Sequence, residues 1–76
     1  MVKAFVFVKV ATGSAEDVVA EVSAVEGVTE AHVVAGDYDV VLELTADEVA
    51  NLYPIVSSDV RTIEGVEETR TYIELG

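Results

Sequence analysis

The chain has 76 residues, 51% of them hydrophobic, and contains no cysteine. That length allows one domain around one core and that composition excludes a disordered tail, while the missing thiols exclude disulfides, thiolate metal centres and a cysteine nucleophile. Fifteen Asp and Glu against Lys3, Lys9, Arg61 and Arg70 give a formal net charge of −11, which excludes direct nucleic-acid binding because no basic stripe exists to meet a phosphate backbone.

No run approaches the roughly 20 apolar residues that span a bilayer, and no signal-peptide pattern follows Met1, so a soluble, cytoplasmic protein is expected. A very small domain without covalent or metal staples is expected to gain burial by oligomerising. The acidic, lysine-poor composition suits a halophilic protein living in molar salt, where screening removes self-repulsion. An acidic protein of an ordinary cytosol is the plainer reading.

Residues 2–10, VKAFVFVKV, alternate with a period of two. They predict a strand with Val2, Ala4, Val6, Val8 and Val10 on one face and Lys3, Phe5, Phe7 and Lys9 on the other. Helical spacing then takes over, with Ala15, Val18, Val19, Val22 and Val25 in step, Ser14 and Asp17 as a capping box and Gly27 as the C-terminal cap. VTEAHVV (28–34) and YDVVLEL (38–44) read as antiparallel strands joined at Ala35-Gly36-Asp37, with glycine supplying an unusual backbone angle. Thr45 with Glu48 opens a second helix carrying Val49, Leu52, Tyr53, Val56, Val60 and Ile63, in which Pro54 predicts a kink or a division into two short helices. VEETRTYIEL (66–75) is the last strand, running essentially to the C-terminus.

VEGVTEAHVV (25–34) and IEGVEETRTY (63–72) echo one another 38 residues apart, each a helix end, a Glu-Gly turn and a strand start. Two such βαβ halves predict the ferredoxin-like α+β fold, βαββαβ, with a four-stranded antiparallel sheet and both helices on one face. The open face is apolar as well, through Phe5, Phe7 and Val41. Covering four or five such side chains at ~1.5–3 kcal/mol each is large beside a net stability of ~5–15 kcal/mol, so a face-to-face homodimer is expected.

The chemistry on offer is sparse. His32, the only histidine, has Glu30 two residues back on the same face, which reads either as a carboxylate-oriented base or as a polar surface residue. A lone histidine without a nucleophile falls short of a catalytic set. Asp37 and Asp39 lack the ligand spacing of a calcium loop, and Gly13, Gly27, Gly36 and Gly65 are too scattered to cradle phosphate, so no metal and no cofactor is expected. Tyr38 can donate to a ligand and Asp37 or Asp39 can pair with an ammonium, but the same residues also serve a plain hairpin turn. Thr69 and Thr71 share one parity of the last strand and can line a polar site, and Arg70 reads as an ion-pair partner.

AFVFVKV, VEGVTEAHVVAGDYDVVLEL and IEGVEETRTYIEL together resemble the ligand-binding (RAM) domain of Lrp/AsnC amino-acid-responsive transcription regulators, over nearly the whole chain. The specific parts are Gly-x-Tyr-Asp, filled by Gly36, Tyr38 and Asp39, and Gly-Val-x-x-Thr-x-Thr, filled by Gly65, Val66, Thr69 and Thr71. The resemblance implies dimerisation through the sheets, assembly of dimers into larger rings and effector binding between dimers, with the Gly-x-Tyr-Asp turn forming the cleft and a neighbour's last strand completing it. The implied ligand-binding residues are Gly36, Tyr38, Asp39, Thr69 and Thr71, and the implied effector is an amino acid. Such regulators carry an N-terminal helix-turn-helix, whereas this sequence starts at the first strand and so reads as a stand-alone form that acts alone or by co-assembly with full-length regulators. Pro54 is a departure close to the expected cleft. The competing expectation is a small dimeric ferredoxin-like enzyme, a cofactor-free oxygenase or isomerase, using His32 and Tyr38.

Overall fold

The computed structural model describes all residues, Met1–Gly76. β1 (Val2–Val10) leads to helix α1 (Ala15–Val22), strands β2 (Val28–Val33) and β3 (Val40–Ala46), helix α2 (Val49–Pro54), a π-helical continuation (Ile55–Val60) and β4 (Val66–Ile73). The sheet is antiparallel throughout, in the order β2-β3-β1-β4, with both helices on one side. This is the ferredoxin-like arrangement expected from the alternation and the internal echo.

β1 lies in the middle because both its faces are apolar and both its edges are paired. Its even residues meet the helices: Ala4, Val6 and Val8 are fully buried with Val40, Leu42 and Leu44 of β3, and Val18, Val22, Leu52 and Val60 close over them. Each fully buried Val or Leu contributes about 1.5–3 kcal/mol, and no polar or charged residue is buried to offset this. Of its odd residues, Lys3, Phe5 and Phe7 are half-buried on the open face and Lys9 is exposed.

The echo is a structural repeat. Gly27 and Gly65 have φ of 100° and 99°, and each turn is closed by the same bond, Val28 N–H to the Val25 carbonyl and Val66 N–H to the Ile63 carbonyl, both 3.1 Å. Their carbonyls clamp the opposite half of the molecule, Gly27 accepting from Thr45 and Gly65 from Ala11, both at 2.8 Å. A β-carbon on Gly27 would lie 2.8 Å from Ile55 Cδ1, and one on Gly65 3.1 Å from Ser14 Cβ. Positive φ and close approach both require glycine at these two positions.

Local details depart from the sequence expectation. α1 ends at Val22, and Ser23 rather than Gly27 forms its C-terminal cap. Ser14 makes no side-chain cap bond, its carbonyl instead accepting Val18 N–H at 2.9 Å. Thr45 does not cap a helix but lies in β3 opposite Lys3, leaving Glu48 before α2. The β2–β3 connection is six residues long, 34–39, so Tyr38 and Asp39 precede the strand, and Gly36 has neither a positive φ nor a crowded Cβ position. β4 stops at Ile73, short of the C-terminus.

Pro54 produces the most consequential departure. Lacking an N–H, it breaks the regular ladder after one and a half turns, and the chain continues in wide turns marked by Arg61 N–H bonded to the Val56 carbonyl at 2.9 Å, five residues back. No helix is long and apolar enough to cross a membrane.

Candidate functional site

The 34–39 loop is fixed from two directions. Val34 N–H donates to the Asp39 carbonyl at 2.8 Å, and Asp39 N–H donates to the Val8 carbonyl at 2.9 Å. The β1–β3 register ends with Val8 opposite Val40, and the Asp39 carboxylate takes up the pairing beyond it, Oδ2 accepting Val10 N–H at 2.9 Å. Lys9 Nζ reaches the Asp37 carbonyl at 3.1 Å.

Held in this way, the loop lays Tyr38 on the open sheet face. Its ring sits 5.9 Å from that of Phe7, tilted by 57°, while Tyr72 meets Phe7 edge-on at 5.7 Å. The Tyr38 hydroxyl donates to Glu68 Oε2 at 3.2 Å. Desolvation raises the phenol above its ordinary pKa and the Glu68 acceptor adds to this, against the opposing field of Arg70. Tyr38 is therefore a neutral donor at physiological pH. Phe7, Val41, Tyr38 and residues 34–37 bound a depression of about 290 Å³.

Thr69 and Thr71 are elsewhere. They lie opposite Val8 and Val6 of β1, whose side chains point to the helices, and they line a groove of about 270 Å³ between β4 and the second helical segment, together with Arg61 and Ser57. Within one protomer the five implied ligand-binding residues thus form two groups, one beside the open face and one on the helical side. Glu68 as partner of Tyr38, and Arg61 and Ser57 as companions of the two threonines, were not legible in the sequence. The parity of β4 places Glu68 beside Arg70, but nothing local brings a loop residue 30 positions away onto it.

His32 is a surface residue. Its side chain is 60% exposed, and Nε2 lies 2.9 Å from Glu30 Oε1. It lines no enclosed cavity, so the enzyme expectation loses the one base available to it. Glu30 is held below its ordinary pKa first by His32 and then by Glu43, which faces it across the β2–β3 ladder. Arg70 reaches Glu68 at 3.9 Å and Lys3 reaches Glu43 at 3.3 Å. All three ion pairs of the molecule therefore lie on the open sheet face. No three His, Asp or Glu side chains converge as metal ligands.

The Lrp/AsnC ligand binding domain profile matches residues 3–76. An HTH-type transcriptional regulator of Pyrococcus furiosus is 33% identical over 58 residues, and the leucine-responsive regulatory protein of Haemophilus influenzae is 31% identical over 58 residues; each alignment covers 76% of this chain. The aligned segment is 39% and 35% of those two relatives, so the chain corresponds to only part of them. Among solved structures, FFRP-DM1 superposes with a TM-score of 0.92 at 29% identity, covering 99% of this chain and 100% of the other. A transcriptional regulator of Neisseria meningitidis, solved as a complex with L-Met, superposes with a TM-score of 0.87 at 19% identity, covering 99% of this chain and 50% of that one.

Proposed function

The chain belongs to the Lrp/AsnC ligand-binding domain family, and from that premise we propose that it is a non-catalytic module that binds a small effector, an amino acid, and oligomerises, in the service of transcription regulation. The observation that carries the reading is the fixed 34–39 loop, which lays a neutral Tyr38 along a ligand-sized depression and holds the Asp39 carboxylate next to it in sequence, at the end of β1. Asp39 spends Oδ2 on Val10, and its other oxygen remains to meet an ammonium group. Gly36, with open space where a Cβ would stand, lets a ligand or a second copy approach the backbone.

Thr69 and Thr71 join this site only from another copy, because within one protomer they face the helical side. Association through the open face is a separate contact that forms the dimer, and the threonines come from a copy in a neighbouring dimer: Phe5, Phe7, Val41, Tyr38 and Tyr72 supply apolar area to the dimer face, and the basic residues of that face are already paired. Co-assembly with a full-length regulator of the same fold uses the same surface. The L-Met complex of the Neisseria regulator supports the effector class.

Differential scanning fluorimetry across the common amino acids tests the reading. An effector at 100 times its dissociation constant stabilises by about 2.7 kcal/mol. A flat response to every amino acid at millimolar concentration, with the oligomer intact, leaves only an oligomerisation module.

A further inference from the structure

The groove between α2, its π-helical continuation and β4 contains a charge that the rest of the fold does not use. In a chain with fifteen carboxylates, Lys3, Arg70 and His32 are each paired, and Lys9 donates to the Asp37 carbonyl. Arg61 makes no ion pair and no side-chain hydrogen bond. It stands at the mouth of the groove, immediately after the wide turns that Pro54 initiates.

We infer that this groove is a binding site for a small organic monoanion, a carboxylate with a branched aliphatic or aromatic tail, gripped by the Arg61 guanidinium. Three features of the lining specify that class. The hydroxyls of Ser57, Thr69 and Thr71 make no hydrogen bond within the chain and are free to receive or supply one beside the guanidinium. The floor is apolar, with Leu52 only 2% exposed, while Tyr53 stands at the rim 77% exposed. No Asp or Glu lines the groove. An ammonium would face Arg61 with no counter-charge, so an amine is repelled and a zwitterion leaves one charge unpaired. A lone carboxylate pairs with the guanidinium fork, and its tail covers the floor. A volume of about 270 Å³ suits a ligand of leucine or phenylalanine size lacking the amino group.

This site goes beyond the amino-acid reading and does not rest on it: Thr69 and Thr71 enter both, Arg61 only this one. The test is isothermal titration with isocaproate, isohexylamine, isohexanol and leucine, monitored in parallel by amide chemical shifts. Isocaproate binds and moves the amides of Thr69 and Thr71, while the amine and the alcohol do not bind. Arg61→Gln weakens isocaproate about tenfold to a hundredfold, as loss of a charged hydrogen-bonding partner does, Arg61→Lys weakens it less, and Glu16→Gln, on the exposed face of α1, leaves it unchanged. Arg61 is exposed and touches no partner, so these variants keep the fold. The inference is overturned if leucine binds the groove as tightly as isocaproate, if isocaproate binding survives Arg61→Gln undiminished, or if isocaproate fails to bind at millimolar concentration. Failure of the amino-acid reading shows separately, as no response that depends on Tyr38 or Asp39.

Discussion

The Asp39 carboxylate accepts the backbone N–H of Val10 at 2.9 Å, tying the β2–β3 loop to the end of a strand 29 residues earlier. A residue proposed to recognise ligand is therefore also a structural strut, and the strut uses Oδ2 alone. Asp39→Ala leaves a part-buried N–H without an acceptor and costs about 1–3 kcal/mol. Asp39→Asn keeps an acceptor oxygen and costs less, while losing the charge an ammonium requires. Urea denaturation of both variants beside an amino-acid titration separates the roles.

Glycines that look alike in sequence differ here. Gly27→Ala and Gly65→Ala each force a β-carbon into positive φ and into contact with Ile55 or Ser14, and are expected to destabilise by about 1–2 kcal/mol or more. Gly36→Ala meets neither obstacle and changes stability by less than about 0.5 kcal/mol. Thermal melts rank the three variants directly.

Two features of the sequence explain how much of this was legible. Period-two alternation in β1 and β3 reports which face is covered, so strand identity and the two-sided β1 follow from it, and the echo of the two halves gives the ferredoxin-like arrangement. Element ends do not follow, because they are decided by distant contacts. Thr45 has the chemistry of a cap, but strand pairing with Lys3 claims it. Gly36 reads as a tight-turn glycine, yet the loop has six residues because Asp39 is held by Val8 and Val10 instead of starting β3. Of the site, the loop motif was legible and its separation from Thr69 and Thr71 was not, since that depends on which side of β4 the threonines face.

Phe7 is the centre of the open-face cluster, touching both Tyr38 and Tyr72. Phe7→Glu places a charge there without entering the helix-side core, so the protomer stays folded and association is lost. Light scattering at micromolar concentration is expected to give the monomer mass for the variant and a multiple of it for the parent chain.

Acidification acts on Glu30. Its folded pKa is depressed below 4.5, chiefly by His32, so its stabilisation is complete above 4.5 and is lost as pH falls through the folded value. His32, Glu43 and Lys3 are the titratable groups facing it. Glu30→Gln is expected to be less stable than the parent near neutrality, with the difference closing below pH 4.5. Chemical denaturation over that range measures the closure.

Salt dependence follows from how the charge is distributed. α1 and the π-helical segment carry Glu16, Asp17, Glu21 and Asp59 and no basic residue, so self-repulsion within the helical layer is unrelieved when screening is removed. Dialysis from molar to millimolar salt is expected to lower the melting temperature and expand the particle, read by circular dichroism and scattering. A chain that stays compact and equally stable in low salt belongs to an ordinary acidic cytosolic protein.

The wide turns after Pro54 also accommodate a surplus residue. A π-type turn holds one residue more than an α-turn over the same path, so the stretch from Ile55 to Val60 behaves like an α-helix with one position inserted. Deleting one residue there would restore regular winding over the same path and leave Val60 in the core and everything downstream in phase. Arg61 N–H, now bonded to the Val56 carbonyl five residues back, would then find that carbonyl four residues back. A single-codon deletion at Ser57 would thus remove one hydroxyl from the groove beside Arg61 while sparing the core and the sheet register, which makes this segment a point where the groove lining can change without redesigning the fold.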